Sequence, residues 1–204
     1  GAATLPISVI VGFFSRYSGK YVSKHGPQGI LFFSCFFMML GLITLSFSNE
    51  NYLTSIFPGI LFLGISVVLF AAPLTTVAMV SAGPERDGLA SGISNAVSRI
   101  GPLLAVAFYG YWIGYDYSEN LKIFLKTNPL PEHVKLQIWN SRDMLAATII
   151  DENLTYELKQ FLSLEIKILF ANSIRDILRI SAFLAIIAGF IALFYKPEDS
   201  KINE

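Results

Sequence analysis

The sequence predicts an all-α polytopic membrane protein with one partial and four complete spans, and three features carry that prediction. Of its 204 residues, 53% are hydrophobic and only 15% charged, with a mean hydropathy of +0.56; soluble domains carry about 25% charge. The charges are also unevenly spread. The 90 residues from Gly26 to Tyr115 hold five, namely Glu50, Glu85, Arg86, Asp87 and Arg99, while the 61 residues from Asp116 to Asp176 hold sixteen. Finally, the charge-poor stretches recur at lengths near the roughly 20 residues that cross a bilayer as a helix.

The elements follow in order. Gly1–Ser15 is uncharged and apolar, but at 1.5 Å per residue it reaches about 22 Å against roughly 30 Å of hydrocarbon. Its basic residues follow it rather than precede it, unlike those of a signal peptide. It reads as a span cut at its N-terminal end, so the chain is expected to be the C-terminal part of a longer protein. Residues 28–48 form the first complete span, bounded by Lys24, His25 and Glu50. Asn51–Pro84 is uncharged and too long for one upright span; Pro58 is taken as its start and Pro73 as a kink, with the span at about 54–80. The next opens at Gly88 and runs to about Tyr115, broken only by Arg99, and the last covers 177–195 before the polar tail 196–204.

Lys and Arg in short loops set orientation. Loop 16–27 carries Arg16, Lys20 and Lys24, loop 49–53 none, loop 81–87 Arg86, and the tail Lys196 and Lys201. Alternation places the first and third loops and the C-terminus in the cytoplasm, and loop 49–53 with segment 116–176 outside. That segment has seven basic residues, yet long loops translocate largely regardless of charge. Pro131–Ser141 and Leu154–Arg175 have apolar residues at helical spacing (Leu158, Phe161, Leu162, Ile168, Leu169, with Glu165 among them). Such amphipathic helices lie on a membrane surface or cap a bundle.

Several classes are excluded. A single cysteine, Cys35, rules out an intrachain disulfide and a cysteine metal site, and His25 and His133 have no neighbouring ligand. No cofactor or metal is expected. Net charge is zero with no basic run, so a nucleic-acid partner is not expected either. The partner the composition demands is the lipid bilayer.

The span GLASGISNAVSRIGPLLAVAFYGYWIG is the most informative stretch. Gly88/Gly92 and Gly110/Gly114 are GxxxG pairs, and Ala90, Ser94, Ser98 and Pro102 continue a small-residue ridge. In lipid, helices associate through such surfaces, so tight packing of this helix against a neighbour is expected. Arg99 lies 11 residues in, about 16 Å deep, where a charge costs about 2.5–3.5 kcal/mol on insertion scales. It has to meet a cavity or a partner, and Asn95 stands four residues earlier on the same face. Two roles are open to it: a structural arginine bonded to carbonyls, or a charge that faces substrate or gates its path.

The run from Gly83 to Gly101, GPERDGLASGISNAVSRIG, resembles a recurrent stretch of the major facilitator superfamily, and is most similar to its fourteen-helix drug:proton antiporter group. The first loop agrees: Gly19, Ser23, Lys24, Gly26 and Pro27 resemble the C-half copy of the family's cytoplasmic loop motif, with Ser23 where an acid is usual and Pro27 and Gln28 in place of the terminal basic pair. Gly101-Pro102 resembles the family's antiporter motif without its flanking glycines. The resemblance covers residues 1–115 well, 168–196 loosely, and is silent on 116–176.

The resemblance implies that these are the last five spans of a C-terminal six-helix bundle in a bacterial inner (plasma) membrane, with the N-terminal half of the same polypeptide missing. It also implies a secondary transporter, with a hydrophobic or amphiphilic small molecule and protons as its cargo, exporting by alternating access. Span 54–80 would line the path, with Ser66, Thr75 and Thr76 among apolar residues and Pro73 at a kink. Arg99, Asn95, Gly101 and Pro102 would contribute from the next. A membrane-embedded enzyme is disfavoured, since Ser91, Ser94 and Ser98 have no intramembrane His or Lys partner. A non-catalytic assembly subunit with 116–176 as an interaction cap is the other alternative. Orientation is tested by impermeant thiol labelling in intact cells: Ser48→Cys should react from outside and Lys24→Cys should not, and labelling of Lys24→Cys from outside overturns the assignment.

Overall fold

A computed structural model describes residues 5, 7–13, 26–48, 51–82, 87–150 and 154–194. Among them there is no strand. The helices are α1 (Gln28–Ser46), α2 (Phe57–Ala82), α3 (Asp87–Thr127), α4 (Glu132–Asn140) and α5 (Tyr156–Phe194), with a π-turn at Tyr52–Ile56 and a 3₁₀ turn at Arg142–Ala147. Residues 7–13 are also helical. Four helical stretches are long and apolar enough to cross a membrane: Gln28–Ser46, Tyr52–Ala71, Ser91–Thr127 and Tyr156–Phe194. The chain is thus an all-α polytopic membrane protein, as its composition predicts.

Helix starts follow from proline chemistry. Pro27 caps α1, and its carbonyl accepts the Leu31 N–H at 3.0 Å. Pro58 has no N–H to give the Thr54 carbonyl; just before it the backbone takes the wider π path, with the Phe57 N–H reaching back to the Tyr52 carbonyl. Pro73 lies inside α2 and Pro102 inside α3. Helix α3 is 41 residues long and α5 is 39, about twice what a span needs. Both therefore run on past the span limits at Tyr115 and residue 177.

The chain divides into two compact units, residues 1–102 with 178–204, and residues 103–177. In the first, α1 and α2 pair antiparallel around two glycines. A Cβ on Gly41 would stand 2.8 Å from Leu63 Cγ and 3.0 Å from the Gly59 carbonyl oxygen; one on Gly59 would stand 2.7 Å from Leu45 Cγ and 3.2 Å from the Gly41 oxygen. The two backbones therefore touch. Further along the same crossing, fully buried Ser34 donates its hydroxyl to the Ser66 carbonyl at 3.0 Å, and the two Oγ atoms lie 3.5 Å apart. Phe37 stacks on Phe62. The C-terminal part of α5 lies against the other side of α1, where a Cβ on Gly189 would reach within 3.0 Å of Cys35 Cβ, and Phe190 meets Phe32 edge-on. Arg179 sits 5.5 Å above the Phe47 ring, so the start of the last predicted span and the loop after α1 share one end of this unit.

The second unit has a core of its own. Tyr117, Leu121 and Leu125 on α3, Val134 and Ile138 on α4, and Leu162 and Ile166 on α5 are buried together. Each set repeats at four residues, the spacing of one helix face. The amphipathic helices expected in 116–176 are present, but the α5 seam runs through Leu158, Leu162, Ile166 and Leu169, leaving Phe161 and Ile168 on its exposed margin. Polar bonds fasten the unit at one end: Ser173 donates to Asp116 at 2.6 Å, and the Tyr117 hydroxyl donates to the Leu145 carbonyl at 3.1 Å.

Glycine contact and serine bond can be ranked. Gly59→Leu has to separate two touching backbones, an overpacking that costs about 1–3 kcal/mol, whereas Ser34→Ala removes an interhelical hydrogen bond worth about 0.6 kcal/mol in membranes. Thermal unfolding in detergent should show a clearly lower transition for Gly59→Leu and only a small shift for Ser34→Ala; the reverse ranking would contradict the packing described.

Candidate functional site

The candidate site is the stretch of α3 around Arg99. Its neighbours along the helix are apolar and exposed, with Ile93, Val97, Ile100, Leu103 and Leu104 all more than half accessible. Asn95 and Arg99 are exposed as well, one helical turn apart on the same face. Among the described residues no carboxylate comes within ion-pair distance of Arg99; the ion pairs seen are Lys122–Glu119, Lys135–Glu132 and Arg142–Asp143.

The backbone adds polarity at the same level. Pro102 has no N–H, so the carbonyl of Ser98, four residues earlier, lacks its helical donor. The Ser98 hydroxyl is turned away from that carbonyl, donating to the Asn95 carbonyl at 2.9 Å. Gly101 lies beside this gap, and a Cβ there would meet nothing within 4 Å. Asn95, the freed Ser98 carbonyl and the Arg99 guanidinium together make a small patch of donors and acceptors on an otherwise apolar helix. Such a patch can bind the polar end of an amphiphile or exchange hydrogen bonds with a facing helix.

The remaining predicted site residues are elsewhere. Ser66 is fully buried in the α1–α2 contact with its hydroxyl beside that of Ser34, and buried Pro73 lies further along α2; neither is brought to Arg99. Of the loop motif, Gly19, Ser23 and Lys24 lie outside the described residues, as do the side chains of Thr75 and Thr76. Gly26 has φ +80°, a backbone that favours glycine, and it leads directly into the Pro27 cap. A tight glycine turn at that point is present.

One expectation is corrected. Among the described residues nothing packs on the small-residue ridge of α3: Cβ atoms built on Gly88, Gly92, Gly101, Gly110 and Gly114 would all meet nothing within 4 Å. Close approach occurs instead at Gly41, Gly59, Gly64 and Gly189, none of which belongs to a GxxxG pair. A glycine ridge permits close approach, but contact also needs a facing helix, and among the described residues none covers this face.

A stretch of 141 residues, 68% of the chain, is 32% identical to multidrug resistance protein Stp of Mycobacterium tuberculosis, in both strain CDC 1551/Oshkosh and strain ATCC 25618/H37Rv, and covers 26% of that protein. Drug efflux pump JefA of the same organism is 28% identical over 118 residues, 56% of the chain and 23% of the pump. The chain thus spans about a quarter of the length of the curated relatives it matches. No family model and no solved structure matches it.

The backbone gap yields a stability prediction. Pro102→Ala restores a donor to the Ser98 carbonyl and should stabilise the protein by about 3 kcal/mol, read as a higher unfolding temperature in detergent. An unchanged or lower temperature would mean that the carbonyl is already satisfied.

Proposed function

We propose that the chain is the C-terminal part of a major facilitator drug:proton antiporter that exports hydrophobic or amphiphilic small molecules across a bacterial inner membrane. The observation that carries this reading is an arginine exposed in the middle of an apolar helix, in a chain 32% identical over 141 residues to a protein named for multidrug resistance. Similarity to a second protein named as a drug efflux pump supports it.

In this reading α1, α2, α3 and the C-terminal part of α5 belong to a six-helix bundle, and the partial first helix completes five of its six members. The other bundle comes from the N-terminal half of the same polypeptide, and the two rock about a site near the midplane. Arg99 and Asn95 face the path, with Gly101 and Pro102 shaping the helix beside them, while Ser66 and Pro73 belong to the neighbouring helix α2. No acidic residue lies within the predicted spans, so proton coupling falls to a carboxylate elsewhere in the polypeptide, and Arg99 acts as a cation that binds or gates.

The test is Arg99→Ala in the full-length polypeptide, with Arg99→Lys beside it. Drug efflux from loaded cells should be abolished in the alanine variant at unchanged membrane abundance and partly kept in the lysine variant. Full efflux by Arg99→Ala removes Arg99 from the path.

A further inference from the structure

The second unit carries an apolar patch that the transport reading does not use. Met144 is 54% exposed and Ile149 is 49% exposed, and with Leu136 they form the apolar part of one open concavity beside α4, which His133, Gln137, Asn140 and Ser141 also line. What covers them follows from the level at which they are held.

Two helices fix where hydrocarbon ends. On α3 the apolar run closes in exposed aromatic residues, Tyr111 at 72%, Trp112 at 37% and Tyr115 at 57%, with Tyr111 and Tyr115 stacked. Such aromatics gather at the membrane–water interface, and the first charge, Asp116, follows at once. Asp116 accepts the Ser173 hydroxyl of α5 at 2.6 Å, and Ser173 lies just before Arg175 and Asp176, where the charges of α5 thin out ahead of its apolar run. The two helices thus meet at the level where each leaves water.

The 3₁₀ turn is tied to that same level. Tyr117 is two residues beyond Tyr115, about 3 Å along the axis, and helix side chains lean toward the helix N-terminus, here toward the apolar run. Its hydroxyl donates to the Leu145 carbonyl at 3.1 Å and lies 3.0 Å from Thr148 Oγ1. That carbonyl also accepts the Thr148 N–H and hydroxyl. Leu145 has φ +56°, rare for a leucine, so three donors converge on a turn held in an unusual conformation. Nearby, Ser141 Oγ accepts the Ile149 N–H at 3.1 Å, and Arg142 lies 4.7 Å over the Trp139 ring while bonding the Trp139 carbonyl. Tryptophan and arginine are both residues that anchor at lipid headgroups.

We propose that the Arg142–Ile149 segment is a lipid anchor: Met144 and Ile149 insert at the headgroup–acyl boundary of the bilayer that α3 crosses. The anchor needs only that α3 spans the membrane and is independent of what is transported. It would hold the second unit against the surface at one fixed height.

Spin-label accessibility in proteoliposomes of the full-length protein tests this. Nitroxides are placed at Met144→Cys, Ile149→Cys and, as a water-exposed reference, Glu132→Cys, each with Cys35→Ser. The ratio of collision with oxygen to collision with a water-soluble nickel chelate should be several-fold higher at 144 and 149 than at 132. All three sites are exposed, so substitution removes no buried contact, and each of the two test positions reports by itself. Ratios at 144 and 149 equal to that at 132 overturn the anchor. So does low collision with both reagents, which would mean that protein rather than lipid covers the patch.

Discussion

Hydrocarbon cannot hydrogen-bond a peptide group, and most of this chain's organisation follows from that constraint. Within the layer each backbone amide has to be satisfied inside its own segment, so only helices serve, and among the described residues only helices and turns are present. The same constraint gives the local departures their meaning. The π-turn before Pro58 and the Ser98 carbonyl before Pro102 both stand where a proline removes a donor. At the second, the exposed side chains of Asn95 and Arg99 lie within one helical turn.

Because lipid tails are as apolar as leucine, burial alone does not drive one spanning helix onto another. Pairing in the first unit rests instead on shape. Gly41 and Gly59 let two backbones touch, and Gly189 lets α5 approach Cys35 and Phe32. The Ser34–Ser66 bond adds direction to a contact that van der Waals packing already makes. In the second unit the balance differs. Its charges imply water, its core is a cluster of large apolar side chains, and the ordinary hydrophobic effect suffices.

The helices and the amphipathic nature of 116–176 were legible in the sequence because both depend on composition and spacing, which a single chain displays. Contacts were less so. GxxxG spacing pointed to α3 as the tightly packed helix, yet the touching glycines are Gly41 and Gly59, neither in a GxxxG pair; a packing surface is a property of two helices, and spacing within one does not name its partner. Ser66 illustrates the same limit, since a polar side chain on an apolar helix serves a pathway or a neighbour equally well, and here a serine on α1 stands opposite. The ends of α3 and α5 were also hidden. Charge tells where hydrocarbon stops, but a helix continues for as long as its backbone and a packed face allow, and the cores around Tyr117 and Leu162 carry both helices on into water. Arg99, in contrast, was legible at once, because one charge in an apolar run needs no partner to be conspicuous.

That leaves the question of why such a charge is kept. A buried ion pair could hold helices in register, but among the described residues no carboxylate is within ion-pair distance of Arg99 to offset the cost of a cation in hydrocarbon. Beside it, Pro102 removes a backbone hydrogen bond on the same helix, a second cost at the same depth. Two unfavourable features, side by side on an exposed face, are hard to account for by the stability of this chain. In the proposed transporter they suit a binding patch: a positive charge, a carbonyl without its usual helical donor and an amide side chain within two turns, on a surface otherwise suited to apolar molecules. In the proposed antiporter no acidic residue lies within the predicted spans, so the coupling group has to come from another part of the polypeptide, facing this patch or linked to it through the helices that move.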